Sequence, residues 1–323
     1  MIKAIALFSG GLDSMLAAEL VRRQNINVLC LTFTTPFFNA QKAQAAAQQI
    51  NLPLAIEDIT TEHLKMLKSP RYGYGKNMNP CIDCHTLMLK IAGKIMEEIG
   101  FDFIITGEVL GQRPMSQNKQ SLHIVAKNSG YPDYILRPLS AQLLDPIKAE
   151  REKIIDRSQL LSIQGRGRKY QINLAADFGI VDYAPPAGGC LLTDPLFTRR
   201  LRDLFSHQDD YDIHDLNFLK YGRHFRADDQ GKIIVGRNNF DNEKIREFST
   251  DDDLVLFMAD FPGPHVVIPH GNEALLPLAA SLCVRYSDAP ADLEANVICQ
   301  HKNLSRTIIA KGAAKEDCER WII

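Results

Sequence analysis

The amino-acid sequence predicts an α/β fold, a doubly wound parallel sheet, followed by a smaller α+β domain. Three observations predict it. Over the first half of the chain, short apolar runs alternate with helix-patterned stretches, as a parallel sheet with crossover helices requires. The first strand-to-helix junction carries Ser9-Gly10-Gly11-Leu12-Asp13-Ser14, a small-residue loop of the kind whose amides and following helix N-terminus face a phosphate. Beyond about residue 194 the alternation gives way to short strand patterns with one helix among them.

Residues 2–8 read as the first strand and 15–23 as the helix behind it. Residues 27–34 (NVLCLTFT) form a second buried strand, with Cys30 as plain core. Thr34 and Thr35 stand at its carboxyl end, where an open parallel sheet places ligands. A helix over 40–50, a strand over 54–59 and a helix beginning at 62 follow. Residues 69–78 are polar, aromatic and turn-rich, hence a loop. Asn79-Pro80-Cys81-Ile82-Asp83-Cys84-His85 leads into a helix over 86–99, then a strand over 101–106. Residues 109–117 form a proline-broken loop, 134–136 a short strand, 146–161 a charged helix, and 165–169 a basic turn. Pro185-Pro186-Ala187-Gly188-Gly189-Cys190 is a rigid, then flexible segment bearing one cysteine. The expected domains are 1–195 and 216–323, joined by a linker over 196–215 in which 198–205 read as a basic helix start and 207–215 as acidic and unpatterned. In the second, strands are expected at 225–227, 232–235, 254–257 and 266–268, and a helix at 272–286.

The chain has 323 residues, 45% apolar and 24% charged, with a net charge of −2. That size suits two soluble globular domains. The charge provides no whole-molecule field for nucleic acid, so RNA contact falls to local basic patches. No apolar run is long enough to span a bilayer, and the N-terminus lacks a signal-peptide layout. No membrane role is expected. Seven cysteines without a signal point to a reducing, cytoplasmic setting, where thiols serve metals or catalysis before disulfides.

In the glycine loop, Gly10 and Gly11 let backbone approach an anion closely, and Ser9 and Ser14 add hydroxyl donors. Asp13 would repel a phosphate unless a cation lay between, so it reads as a Mg2+-side or helix-capping residue. No Gly-Lys-Ser/Thr follows, which excludes a Walker loop. Cys81 and Cys84 share one side of a helix start, which favours thiolate over thiol. Cys190 is the third candidate. The residues alone leave three readings open: structural zinc with His85 as fourth ligand, an iron–sulfur cluster with one open iron, or a persulfide-carrying dithiol. Asp83 and His85 read as supporting or capping groups. Cys283, Cys299 and Cys318 have no paired spacing and read as structural.

The glycine loop, Asn79–Cys84, Thr106-Gly107-Glu108-Val109-Leu110-Gly111-Gln112, Ser116-Gln117 and Leu136-Arg137-Pro138-Leu139 occur in that order. Together they resemble the PP-loop ATP pyrophosphatases that thiolate tRNA, above all the ThiI-type 4-thiouridine synthetases and more distantly the MnmA-type 2-thiouridylases. The likeness covers residues 1–195. It implies adenylation of a uridine by ATP and replacement of a carbonyl oxygen by sulfur. It implies a nucleotide site of Ser9, Gly10, Gly11, Asp13, Ser14, Thr34, Gly107 and Gln112. It further implies Asp13, Cys81, Cys84 and Cys190 as catalytic residues, the three cysteines as ligands of a 4Fe-4S cluster, and Mg2+ near Asp13. Partners would be tRNA and a sulfur donor, either sulfide or a cysteine desulfurase; the chain could also be an oligomer. The family's ferredoxin-like and THUMP segments and its optional rhodanese domain are expected to be absent here.

Phe225–Gly231, Val235–Glu243 and Asp260–Val267 resemble the NFACT-R domain, which is linked to RNA binding. That likeness implies Arg237 and His265 as exposed RNA-contacting candidates; the residues alone favour Arg237 paired to Asp241 or Glu243 and His265 as a turn cap. Arg71, Lys76 and Arg113 are candidates for the RNA backbone, Arg166, Arg168, Lys169, Arg199, Arg200 and Arg202 read as solvated charge, and Tyr72 and Tyr74 serve either base stacking or loop packing. Two other functional classes stay open: an RNA-binding adaptor with a non-catalytic nucleotide fold, and an amidating or adenylating ligase of the NAD or GMP synthetase kind.

Overall fold

The computed structural model describes residues 1–185, 189–227 and 231–323. The expectations for Pro186, Ala187 and Gly188 and for Asp228, Asp229 and Gln230 lie outside these. The chain divides into two compact units, Met1–Thr193 and Asp194–Ile323.

The first unit runs β1 (Lys3–Leu7), α1 (Leu12–Arg22), β2 (Asn27–Thr34), α2 (Gln41–Gln49), β3 (Leu54–Asp58), α3 (Thr60–Lys68), α4 (Cys81–Glu98), β4 (Phe103–Thr106), α5 (Lys119–Ser129), β5 (Ile135–Leu136), α6 (Lys148–Arg151) and α7 (Lys169–Asp177). Its sheet has the order β3-β2-β1-β4-β5, with every pair parallel. The doubly wound expectation is therefore met. β1 is apolar from Ala4 to Leu7 because both its faces are covered there. Ala4 and Ala6 join a core with Met15, Leu16 and Ala43 on one side. Ile5 joins Leu89, Ala92 and Ile104 on the other. The chain winds outward from β1 to β3, then returns to β4 on the other side of β1. Strand order thus reverses between β1 and β4, and ligands of such sheets bind outside the carboxyl ends at that reversal.

Several elements differ from expectation. α4 begins at Cys81 rather than 86: Pro80 sits at its N-cap and accepts a hydrogen bond from the Cys84 amide at 2.8 Å. Both cysteines therefore lie in the first turn. The helix expected over 146–161 is only α6. Lys153 turns left-handed at φ 59°, and the amides of Ile154 and Ile155 fold back on the Ala149 carbonyl, drawing Ile155 into the core. α5 and α7 were not expected; α5 is capped by Asn118, whose side chain accepts from the Ser121 amide at 2.8 Å.

The second unit runs α8 (Pro195–His207), α9 (Ile213–Phe218), β6 (Arg223–Arg226), β7 (Lys232–Val235), α10 (Asn239–Phe248), β8 (Leu254–Met258), β9 (Val266–Ile268), α11 (Leu276–Arg285), β10 (Ala295–His301), β11 (Leu304–Ala310) and α12 (Lys315–Trp321). Its sheet order is β11-β10-β8-β9-β7-β6, antiparallel throughout. α10, α12 and the β10–β11 hairpin are additions to the expected elements. Residues 196–215, expected as a linker, hold most of α8 and the start of α9. Asp203 on α8 takes both Arg226 (2.6 and 2.9 Å) and Lys232 (3.2 Å). Arg200 donates to the Leu219 and Gly222 carbonyls. Among the described residues no helix is long and apolar enough to cross a membrane.

Two measurements test this packing. A Cβ on Gly107 would lie 2.6–2.7 Å from the backbone of Asp13 and Ser14, so Gly107→Ala should cost about 1–3 kcal/mol, read as a fall in Tm of about 2–4 °C per kcal/mol. An unchanged Tm would remove the contact. His224 is fully buried in β6, and burial with Lys232 and Arg200 nearby holds it well below the usual histidine range. The unfolded chain takes a proton on this ring near pH 6.5. The stabilising effect is thus complete above that pH and is lost as pH falls below it. Melting at about pH 7.5 and 5.5 should show a smaller acid loss in His224→Gln than in the native chain; equal losses would contradict this.

Candidate functional site

The carboxyl ends of β1 and β4 build the first half of the site. Gly10 adopts φ 72°, and a Cβ there would lie 2.3 Å from the Lys42 carbonyl oxygen, so only glycine fits. Gly11 is the N-cap of α1, extended and without a side-chain cap. The helix therefore presents its amino end to an anion. Ser14 Oγ donates to the Gly11 carbonyl at 2.7 Å, and the Gly11 amide donates to Ser9 Oγ at 3.4 Å. Ser9 and Ser14 thus line the loop. Gly107 lets β4 lie directly against the first turn of α1. Thr34 differs: its hydroxyl donates to Asp58 at 3.2 Å, on the β3 side.

Asp13 is engaged on one oxygen. Gln112 Nε2 donates to Oδ2 at 3.0 Å, while buried Oδ1 has no partner. Burial raises its pKa, opposed by Gln112, Arg168, Arg113 and Gln171. Gln171 on α7 is fully buried, with both amide atoms partnerless, as is Arg168 Nε. One carboxylate oxygen and one amide oxygen, both unsatisfied, fit the needs of Mg2+, which takes one or two carboxylates and completes its shell with phosphate oxygens. Gln171 had no signal in the sequence, because a buried glutamine looks like any helical glutamine. Arg168 was seen only as part of a basic turn.

The cysteines form the second half. Asn79 Nδ2 donates to Cys81 Sγ at 3.4 Å. Cys84 Sγ lies 3.6 Å from Nε2 of His63. The Cys190 segment is pinned on both sides: the Leu191 amide donates to the Phe37 carbonyl, and Asn77 donates to the Thr193 carbonyl at 2.7 Å. Burial, then the charges of Cys190, Cys81 and Asp83, push the Cys84 thiol far above its ordinary value. Burial pushes Cys190 to about 11, against a backbone hydrogen bond from Leu192 and the Arg113 charge. All seven cysteines are free thiols. Among the described residues no three His, Cys, Asp or Glu groups stand close enough to hold one metal ion. A single zinc needs its sulfurs about 3.8 Å apart, given Zn–S near 2.3 Å; a cluster spreads its ligands over several irons and suits wider spacing.

His85 is engaged on one ring nitrogen. Its Nδ1 hydrogen-bonds Glu108 at 2.9 Å, and Arg137 Nε donates to the other Glu108 oxygen at 2.9 Å. Glu108 is buried, and Arg137 and His85 outweigh that burial to hold its pKa at about 2. The contact leaves Nε2 of His85 outside it, the arrangement in which a carboxylate orients a histidine for a second partner. Asp83 accepts from the Arg71 and Tyr72 amides and so fixes the 69–79 loop. Tyr74 Oη donates to the Leu67 carbonyl at 2.6 Å, and Tyr72 Oη accepts from Asn128 at 2.9 Å; both rings remain partly exposed.

In the second unit, Arg237 is bound to Asp241 at 2.6 and 3.2 Å. His265 stacks on Phe257, ring centroids 5.6 Å apart, and is partly buried rather than exposed. Arg237 is exposed, as the NFACT-R likeness implied, and is also paired to Asp241, as the residues alone favoured; His265 is half-buried, against the exposure that likeness implied. Asn238 caps α10. Cys283, Cys299 and Cys318 are buried among apolar residues, as expected.

Residues 2–159 match the family model described as thiamine biosynthesis protein (ThiI), and residues 222–322 match NFACT protein RNA binding domain. A probable tRNA sulfurtransferase of Thermococcus kodakarensis is 30% identical over 163 residues, 48% of this chain and 39% of that protein. One from Methanocaldococcus jannaschii is 31% identical over 149 residues, 42% and 36%. The chain thus spans about two fifths of the length of these curated relatives. A solved 4-thiouridine synthetase–RNA complex with bound ATP aligns at 20% identity over 60% of this chain and 45% of that one, TM-score 0.42. The C-terminal part of a fibronectin/fibrinogen-binding protein from Streptococcus suis aligns at 14% identity over 48% and 72%, TM-score 0.29. Over residues 2–159 the chain is thus similar to the ThiI family, and over residues 222–322 to the NFACT RNA binding domain.

Proposed function

We propose that the chain is an ATP-dependent tRNA uridine sulfurtransferase, with 4-thiouridine as its product. The observation that carries this reading is the loop at the carboxyl ends of β1 and β4, where Gly10 is left-handed and α1 begins without a side-chain cap, so that its amino end is open to the phosphates of a nucleotide. The curated relatives named as tRNA sulfurtransferases support the same substrate class.

In the proposed reaction a uracil carbonyl oxygen attacks the α-phosphate of ATP, and the bond to pyrophosphate breaks. The uncapped N-terminus of α1 and the hydroxyls of Ser9 and Ser14 hold the departing pyrophosphate. Asp13, with Gln171, would hold Mg2+, which neutralises the phosphate charge when bound. Gln112 orients Asp13 through its second oxygen. A sulfur nucleophile held by Cys81, Cys84 and Cys190 then displaces AMP from the activated carbon. Cys81, Cys84 and Cys190 would hold a 4Fe-4S cluster, which when bound offers an open iron for sulfide. The second unit is proposed as the part that captures RNA, and sulfide or a cysteine desulfurase as the sulfur source.

The test is paired assays of pyrophosphate release and thiouridine formation on a tRNA transcript. Asp13→Asn should lower pyrophosphate release by about 10²–10³-fold. Cys190→Ala should leave that release near native and abolish thiouridine. Full thiolation by Cys190→Ala would end the sulfur role. tRNA-independent release together with an unreactive uridine would favour the amidating-ligase class instead.

A further inference from the structure

We propose that the amino end of α7, through Arg168 and Gln171, is a second wall of the phosphate site and takes a magnesium-complexed pyrophosphate group, the part of ATP that leaves. The inference rests on the reading that the loop at Ser9–Ser14 binds ATP, and it names two residues outside every motif that pointed to that reading.

The orphaned polar atoms carry it. Gln171 lies in the first turn of α7, fully buried, yet neither its amide oxygen nor its amide nitrogen has a hydrogen-bond partner. Asp13 Oδ1 and Arg168 Nε are buried and unpartnered as well, and Gln171 and Arg168 both lie close enough to act on the Asp13 carboxylate. Two of these four atoms accept and two donate. A cation alone satisfies only the acceptors, and a bare anion only the donors. A divalent cation chelated by phosphate oxygens satisfies both. Both ends of the Gln171 amide are unpaired, so exchanging its oxygen and nitrogen changes nothing.

The backbone points the same way. α7 runs beside α1 in the same direction. At the amino ends Gln171 stands by Asp13, and at the carboxyl ends the Arg23 guanidinium lies 3.9 Å from the centre of the Phe178 ring. Both helices open without a side-chain cap, so two amino ends favour an anion at one place. The turn before α7 is fixed. Gly165 is left-handed at φ 84°, and its amide donates to the Leu110 carbonyl at 2.7 Å, two residues ahead of Gln112. Arg168 is the N-cap residue of α7 and differs from the solvated charge that its basic turn suggested. Its planar fork suits phosphate.

The full chain is titrated calorimetrically with inorganic pyrophosphate and, separately, with AMP, each in excess Mg2+. Gln171→Met keeps an unbranched side chain and removes both amide atoms; Arg168→Gln removes the guanidinium. Each is expected to weaken pyrophosphate binding about tenfold or more and to keep AMP within about twofold of native. With chelator in place of Mg2+, the native chain should lose pyrophosphate affinity to a similar degree. Since the Gln171 amide has no partner to lose, the Tm of unliganded Gln171→Met should not fall below native; a structural amide predicts a fall. Native pyrophosphate affinity in either variant, pyrophosphate binding indifferent to Mg2+, an equal loss of AMP binding, or a lower unliganded Tm for Gln171→Met would overturn the proposal. A native chain that binds neither probe would end the ATP reading and this one together. Native affinity in the variants would leave the ATP reading intact, and the expected selective loss would stand even if no thiouridine ever formed.

Discussion

The site depends first on the contact between the backbone at Gly107 and the first turn of α1. β1 and β4 pair in parallel up to Leu7 opposite Thr106, and just beyond that pair a single methyl group on Gly107 would force the end of β4 off the first turn of α1. That contact delivers two things to one place. From β1 come the amino end of α1 and Asp13; from the segment after β4 comes Gln112, which donates to Asp13. A carboxylate half-satisfied by an amide and otherwise orphaned in a buried setting is costly to maintain. Such a group persists where a ligand completes it, and the unsatisfied amide of Gln171 and Nε of Arg168 beside it fit the same account.

A second constraint joins the sulfur-bearing helix to the sheet. Glu108 follows β4, His85 belongs to the first turns of α4, and Arg137 follows β5; one buried carboxylate engages both partners. Breaking such a buried arrangement at one member costs more than the arrangement itself contributes, because it strands the others. Its consequence is positional. α4 cannot shift along its axis without losing the Glu108 contact, so Cys81 and Cys84 keep a fixed height relative to the carboxyl ends of the strands. The segment bearing Cys190 is held independently, through Phe37 and Asn77. The helix bearing Cys81 and Cys84 and the segment bearing Cys190 are thus fixed by separate tethers rather than by one loop.

The second unit shows how the same chemistry can mean packing. Arg200, expected as solvated charge, is buried, and Arg200, Arg226 and Lys232 are each engaged within the unit, at carbonyls or at Asp203. Arg237 likewise belongs to Asp241. Charge that already has a partner holds α8 and α10 in place and contributes little to a phosphate-seeking field.

Local pattern is enough for the strand–helix alternation of the first unit, the glycine loop at its first strand-to-helix junction and the placing of Cys81 and Cys84 at a helix start. All three are local signals: apolar periodicity, glycines where positive φ is needed, and a Cys-x-x-Cys spacing. It also carried Glu108 and Gln112 inside a recognisable block, without saying what either touches. Tertiary contacts settle that Glu108 takes Nδ1 of His85, that Asp203 on α8 binds Arg226 and Lys232, that the α-helix expected over 146–161 stops after one turn, and that buried Gln171 lies beside Asp13. The physical reason is common to all four. Each outcome depends on which buried polar group finds a partner across the fold, and partners separated by tens of residues in the chain leave no trace in local pattern or propensity.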